Sequence, residues 1–91
     1  MAIYLVTYDL ADASKSNYEK LLELIKQEGS WACLGSSSYL VESDNTAVEL
    51  RNRYCSILTN EDILYVGVVS APAAWHGYSK EVSNWILKKL Q

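Results

Sequence analysis

A chain of 91 residues with a net charge of −3 is long enough for one domain and too short for two hydrophobic cores. Eleven acidic against eight basic residues argue against a long, sequence-independent grip on DNA or RNA, which requires many phosphates to be neutralised together. The sequence has no apolar run of the roughly 18 residues that a membrane span needs, and no basic leader with a cleavage site. We therefore expect one cytoplasmic domain over residues 1–91, without membrane contact.

The first predicted element is a strand from Ala2 to Asp9 that is apolar on both of its alternating faces. Such a strand has to be covered on both sides. A segment of small and polar residues then leads to an amphipathic helix in "YEKLLELIKQEG". Its predicted N-cap is Ser16 or Asn17, and Gly29 is its predicted stop.

The middle and the end of the chain contain five further elements. "SWACLGSSSYLVESD" predicts a β-hairpin that turns at Gly35 and Ser36. A second helix follows in "NTAVELRNRYCSIL", where Thr46 and Glu49 have the spacing of a capping box. "ILYVGVVS" is a second strand that is apolar on both faces, and Pro72 ends it. The final helix is predicted in "SKEVSNWILKKLQ". Its predicted inward residues are Val82, Trp85, Ile86 and Leu90.

The order βαββαβ, followed by a helix, predicts an α+β fold of ferredoxin-like type with a four-stranded antiparallel sheet. The first two helices then lie on one face of this sheet. We assign Tyr4, Val6 and Tyr8 to the other face. This face has to be covered by the last helix, by a second copy of the chain or by both, and we favour a homodimer through it. The same topology predicts that the turn after the first strand, the hairpin turn and the loop from Thr59 to Asp62 share one edge of the sheet.

Short matches to a known family are spread over most of the chain: "YLVTYDL" in the first strand, Trp31 and "YLV" in the hairpin, and Trp75 and Trp85 near the end. The chain resembles the small subunit of the CRISPR adaptation complex, the Cas-two-like group of dimeric ferredoxin-like proteins. It is more similar still to small bacterial and phage proteins described as SinR-like. In the adaptation-subunit family, an acid at the end of the first strand is proposed to bind a divalent metal together with its copy across the dimer axis, for phosphodiester cleavage.

Position by position, only Asp9 matches this family site. The basic residues that usually follow the acid in that family are replaced here by "ADASKSN", whose single cation is Lys15. Because Asp9 matches the family's acid, the resemblance implies an alternative function, a Mg²⁺-dependent endonuclease in which Asp9 is the catalytic residue and metal ligand. A second alternative is a protein-interaction subunit whose sheet face binds another protein.

The hypothesis that we favour is a non-catalytic, homo-oligomeric binding protein for a small nucleotide, with no cofactor. Serine hydroxyls and backbone N–H groups of the hairpin turn suit phosphate oxygens, and tyrosine and tryptophan rings can stack on a base. Such a protein would sequester a nucleotide or cyclic nucleotide signal without altering it, as in phage anti-defence. The predicted ligand-binding residues are Tyr8, Asp9, Ser14, Lys15, Trp31, Ser36, Ser37, Ser38, Trp75 and His76.

Overall fold

The computed structural model describes residues 1–11 and 15–90, with only the backbone of Lys15. The elements are β1 (Ala2–Asp9), α1 (Lys15–Lys26), β2 (Ser30–Gly35), β3 (Ser38–Ser43), α2 (Ala47–Cys55), β4 (Ile63–Val69) and α3 (Lys80–Leu90). The four strands form one antiparallel sheet in the order β2-β3-β1-β4. The prediction of an α+β ferredoxin-like βαββαβ fold with an added C-terminal helix is confirmed. Within the described ranges, no helix has the length and apolar character needed to cross a membrane.

The helix boundaries agree with the sequence at some ends and differ at others. The capping box of α2 is confirmed, because the Glu49 N–H donates to Thr46 Oγ1 at 3.1 Å and the Thr46 N–H donates to Glu49 Oε1 at 2.9 Å. Gly29 has a φ of 94° just after α1, the left-handed conformation expected at a helix stop. The predicted N-cap of α1 is wrong, since the helix begins at Lys15 and includes both Ser16 and Asn17.

Helices α1 and α2 cover one face of the sheet and form the larger core with it. The side chains of Tyr4, Val6 and Tyr8 lie in this core and are at most 5% exposed. Our assignment of these three residues to an open face is therefore wrong. Both alternating sets of β1 are apolar, so the sequence pattern did not distinguish the set beneath the helices from the set on the other side. The helix residues buried in this core are Leu21, Ile25, Leu50 and Tyr54.

Helix α3 packs on the opposite face, against β2 and its neighbours. Ile86 is buried there with Ile3, Ala32 and Leu40. The Trp85 indole Nε1–H donates to Ser30 Oγ at 3.1 Å. Lys89 Nζ lies 3.1 Å from a carboxylate oxygen of Glu42 in β3. The predicted inward face of this helix is confirmed, because Val82, Trp85 and Leu90 all pack on the same cluster.

One ion pair joins the end of α1 to β3 and α2. Arg53 forms a salt bridge with Glu28, whose side chain is only 6% exposed. Ser43 Oγ donates to the other Glu28 carboxylate oxygen at 2.8 Å and accepts from the Asn45 N–H at 3.0 Å. A buried carboxylate is stable only when its oxygens are paired in this way. Glu28 therefore connects three elements at the sheet end opposite to Asp9.

Replacing Glu28 with alanine is expected to lower the free energy of unfolding by about 2 kcal/mol, because Arg53 and Ser43 lose their shared acceptor. Urea denaturation followed by circular dichroism measures this change. The exposed Glu23 on the same helix provides the control, and Glu23→Ala is expected to change stability by less than about 0.5 kcal/mol. Equal losses for the two variants would contradict the role given to Glu28.

Candidate functional site on the open part of the sheet

The part of the second face that lies over β1 and β4 presents a polar and aromatic surface, which we call the platform. It consists of Thr7, Asp9, Ser38, Tyr65 and Gly67. Thr7 is directly opposite Ser38 in β3 and Tyr65 in β4. Residues directly opposite each other in antiparallel strands point to the same face of a sheet. Three strands thus bring these side chains together on the face that also carries Ile3.

Tyr65 is the aromatic residue of the platform, and its ring lies over Gly67. A methyl group added to Gly67 would come within 2.6 Å of Tyr65 Oη and 2.7 Å of Cε1. A side chain at position 67 would therefore displace the Tyr65 ring from its place over the strand. Tyr65 remains 59% exposed, so its ring presents to solvent an aromatic surface that lies on the strand backbone.

Polar groups lie on the same face of the sheet, on the Asp9 side of Tyr65, whereas the ring extends the other way, over Gly67. Ser38 Oγ donates to Thr7 Oγ1 at 3.3 Å, and both residues are half-buried. Asp9 is exposed at the end of β1, opposite Ile63. Two hydroxyls can donate or accept, whereas an ionised carboxylate only accepts. The platform therefore combines a stacking surface with groups suited to the polar edge of a small planar ligand.

An apolar cavity of about 190 Å³ adjoins the platform on the same face. Leu5, which is opposite Gly67, forms part of its wall together with Trp75 and Tyr78 from the segment before α3. The Trp75 indole Nε1–H donates to Ser83 Oγ at 3.1 Å, which holds the ring in place. Asp9, Ser38 and Trp75, three of the predicted ligand-binding residues, therefore share one side of the sheet.

The predicted edge, where three connections meet, is confirmed, and Asp62 holds it together. This carboxylate accepts from the Ala11 N–H and from the Thr59 N–H, each at 2.8 Å. Hydrogen bonds from these two amides hold the pKa of Asp62 below its ordinary value. At the other side of β1, the Tyr8 N–H donates to the Ser37 carbonyl at 3.1 Å. The end of β1 is thus tied to the loop before β4 and to the hairpin turn.

Two other predicted ligand-binding residues lie on the opposite side of the sheet, under the helices. Tyr8 is buried, with its ring 6.0 Å from that of Tyr18. Trp31 packs 5.9 Å from Tyr39, and Lys26 Nζ lies 4.8 Å from its ring centre. The sheet separates both residues from the platform, so one small ligand does not contact Trp31 and Trp75 together.

Burial, followed by the neighbouring Cys33 thiol, raises the pKa of Tyr39 to about 12 and also raises the pKa of Tyr8. Both phenols are therefore neutral at physiological pH and offer no phenolate to bind a metal or remove a proton. Their role in the described structure is in the core.

Five predicted residues remain, and the side chains of three of them lie in the described part of the chain. Ser36 and Ser37 form the hairpin turn, and His76 is exposed after Trp75. Ser14 and the side chain of Lys15 lie outside the described residues. Among the side chains that the structure describes, no group of three His, Cys, Asp or Glu residues could hold a metal ion. A metal site at Asp9 would therefore need ligands from elsewhere, such as the copy across a dimer axis that the family resemblance implies.

Sequence reasoning missed Thr7, Tyr65 and Gly67. One signal was present: a glycine inside an apolar strand marks a place where another group approaches the backbone closely, and Tyr65 is two residues away on the same face. The position of Thr7 beside Tyr65 depends on the register between β1 and β4, which no local pattern specifies.

Removing the Asp62 carboxylate is expected to loosen the edge that positions Asp9. In Asp62→Ala, the amides of Ala11 and Thr59 lose their acceptor and should exchange with solvent at least about tenfold faster. Because the folded pKa of Asp62 is depressed, its stabilising effect is present above the ordinary pKa of about 3.9 and is lost as the pH falls through the lower folded value. Hydrogen exchange measured by NMR checks this, and unchanged protection of both amides would contradict it.

No family model matches the chain, and no curated protein matches it. Its fold is similar to that in the crystal structure of a hypothetical protein, TT1823, from Thermus thermophilus, with a TM-score of 0.69 and 26% sequence identity. The match covers 85% of this chain and 92% of that one. This similarity supports the ferredoxin-like architecture over most of the sequence.

Proposed function

We propose that the protein is a non-catalytic binding protein for a small nucleotide, whose base stacks on Tyr65. The observation that carries the proposal is the exposed ring of Tyr65 lying over Gly67, on the same face of the sheet as the Thr7 and Ser38 hydroxyls and the Asp9 carboxylate. Stacking of a base on an aromatic side chain contributes about 1–3 kcal/mol. A glycine beneath the ring favours this use, because it lets the ring lie along the strand with one side open to solvent.

The polar groups on this face favour particular bases. An ionised Asp9 accepts hydrogen bonds and does not donate them. Guanine presents two adjacent N–H donors on its Watson–Crick edge, whereas uracil presents one between two acceptors. We therefore propose that a guanine nucleotide binds more tightly than a uracil nucleotide.

The charge of the chain supports a small ligand over a polymer. Eleven acidic residues against eight basic residues give little capacity to neutralise a run of phosphates. A mononucleotide or cyclic nucleotide bears few phosphates, and stacking and hydrogen bonding then dominate its binding. The same proposal has two further parts. The protein sequesters such a molecule as a signal, as in phage anti-defence, and it does so as a homo-oligomer.

Isothermal titration calorimetry with a panel of mononucleotides and cyclic nucleotides tests the proposal. Replacing Tyr65 with serine is expected to weaken binding about tenfold or more, whereas Tyr65→Phe retains the ring and most of the affinity. Asp9→Asn is expected to reduce the preference for guanine over uracil. Leu87→Ser, at an exposed apolar residue on α3, is the control and should leave affinity unchanged.

The recovered nucleotide distinguishes binding from catalysis. The proposal requires that the nucleotide remain intact after incubation with the protein and Mg²⁺. Cleavage of RNA or DNA that Asp9→Asn abolishes would support the endonuclease alternative instead. Absence of heat with every nucleotide in the panel would refute nucleotide binding.

A further inference from the structure

Strand β4 has an open edge without the features that usually protect one. In the described sheet it borders β1 alone, and its pairing with β1 runs through seven consecutive residue pairs without a register shift. No charged residue and no proline occurs from Ile63 to Val69. Proteins usually protect a sheet edge with a charge, a proline or a bulge. The other outer strand, β2, does contain an irregularity, between Cys33 and Gly35.

Apolar side chains are concentrated along this edge. Among residues 1–11 and 16–90, six large apolar residues are classed as exposed, and four of them belong to β4 or the adjacent part of α2. These four are Val48, Ile63, Tyr65 and Val68, which are 56%, 64%, 59% and 63% exposed. Tyr65 belongs to the platform, so Val48, Ile63 and Val68 are the three of these side chains that a partner at the edge would cover.

A groove lies beside the same edge, between α2 and β4. Its volume is about 240 Å³, and Val48, Arg51, Leu64 and Val66 are among its lining residues. The Arg51 guanidinium donates to Asn52 Oδ1 on its own helix at 2.9 Å. The groove has apolar lining residues on both sides, Val48 on the helix and Leu64 and Val66 on the strand.

We infer that a second copy of this chain pairs with β4 in antiparallel orientation, with the two-fold axis passing beside Val66. This inference deepens the homo-oligomeric part of the proposed function and does not depend on its ligand. In this register, Tyr65 lies opposite the partner's Gly67, and Leu64 lies opposite the partner's Val68. Antiparallel pairing keeps each pair on one face of the sheet, and because the partner's Gly67 has no side chain, the Tyr65 ring keeps its place over the Gly67 of its own chain.

A second copy fits this edge because the strand is complementary to itself in that register. The exposed Val68 of each chain faces the groove beside Leu64 of the other, and no like charges oppose each other along the paired segments. Pairing of the two backbones satisfies the outward-facing N–H and C=O groups of β4 and supplies interface area beyond the three apolar side chains. A two-fold interface of this kind uses the same surface on both copies and closes at a dimer.

Sedimentation velocity on the full chain, from about 1 to 100 µM, tests the inference. The wild-type chain is expected to sediment as a dimer in this range. Val68→Lys places a charge opposite Leu64 and near Arg51 of the partner, and is expected to weaken the dimer about tenfold or more. Ile63→Lys, at the other end of the strand, is expected to do the same. Leu87→Lys is the matched control, an equally drastic change at an exposed apolar residue of α3, and should remain dimeric.

Circular dichroism melting confirms that each variant is folded, and two independent edge variants guard against a folding defect in one of them. A wild-type monomer at about 100 µM would overturn the inference. A dimer that survives both edge substitutions, or that only Leu87→Lys disrupts, would also overturn it by placing the interface elsewhere. A dimer of the expected kind that binds no nucleotide would instead refute only the proposed ligand. Val68 is suited to this distinction because it points away from the platform, as its pairing with the buried Tyr4 shows.

Discussion

The structure depends on a strand that is apolar on both faces. β1 lies in the interior of the sheet, and the apolar side chains of both its alternating sets have to leave water. Helices α1 and α2 bury one set, including Val6, which is fully buried. On the other face, Ile3 and residues of β2 and β3 are buried beneath α3, while Tyr65 and Ile63 on β4 remain exposed. Helix α3 and the segment with Trp75 and Tyr78 cover only part of this face and leave the platform accessible.

The element order was predictable from the sequence because each element has a local signal. The capping residues Thr46 and Glu49 predict the start of α2, and the spacing of Val82, Trp85 and Ile86 predicts the packed face of α3. The side of the sheet on which the first helices lie was predicted wrongly. Tyr4 and Ile3 are both apolar, so periodicity shows that both faces are covered without showing which helix covers which face.

The candidate site was predictable only in part, for a related reason. The shared location of Asp9 and Ser38 could be predicted from the topology, since the end of β1 and the start of β3 meet at one edge of the sheet. Thr7 and Tyr65 become neighbours through the register of strands that are far apart in sequence, and a one-residue slip would separate them onto opposite faces. Rings such as Tyr8 and Trp31, chosen for their chemistry, belong to the core because tyrosine and tryptophan suit both burial and binding.

If the protein binds a nucleotide as proposed, the uncovered half of the sheet, and not the helix-covered half, receives it. NMR chemical-shift mapping tests this most directly, with the backbone amides followed as a guanine mononucleotide is added to the wild-type chain. We expect the largest chemical-shift changes at Thr7, Asp9, Ser38 and Tyr65, with little change at Tyr18 or at Trp31 on the helix-covered side. Changes centred on α1 and α2, or no changes at saturating nucleotide, would contradict it.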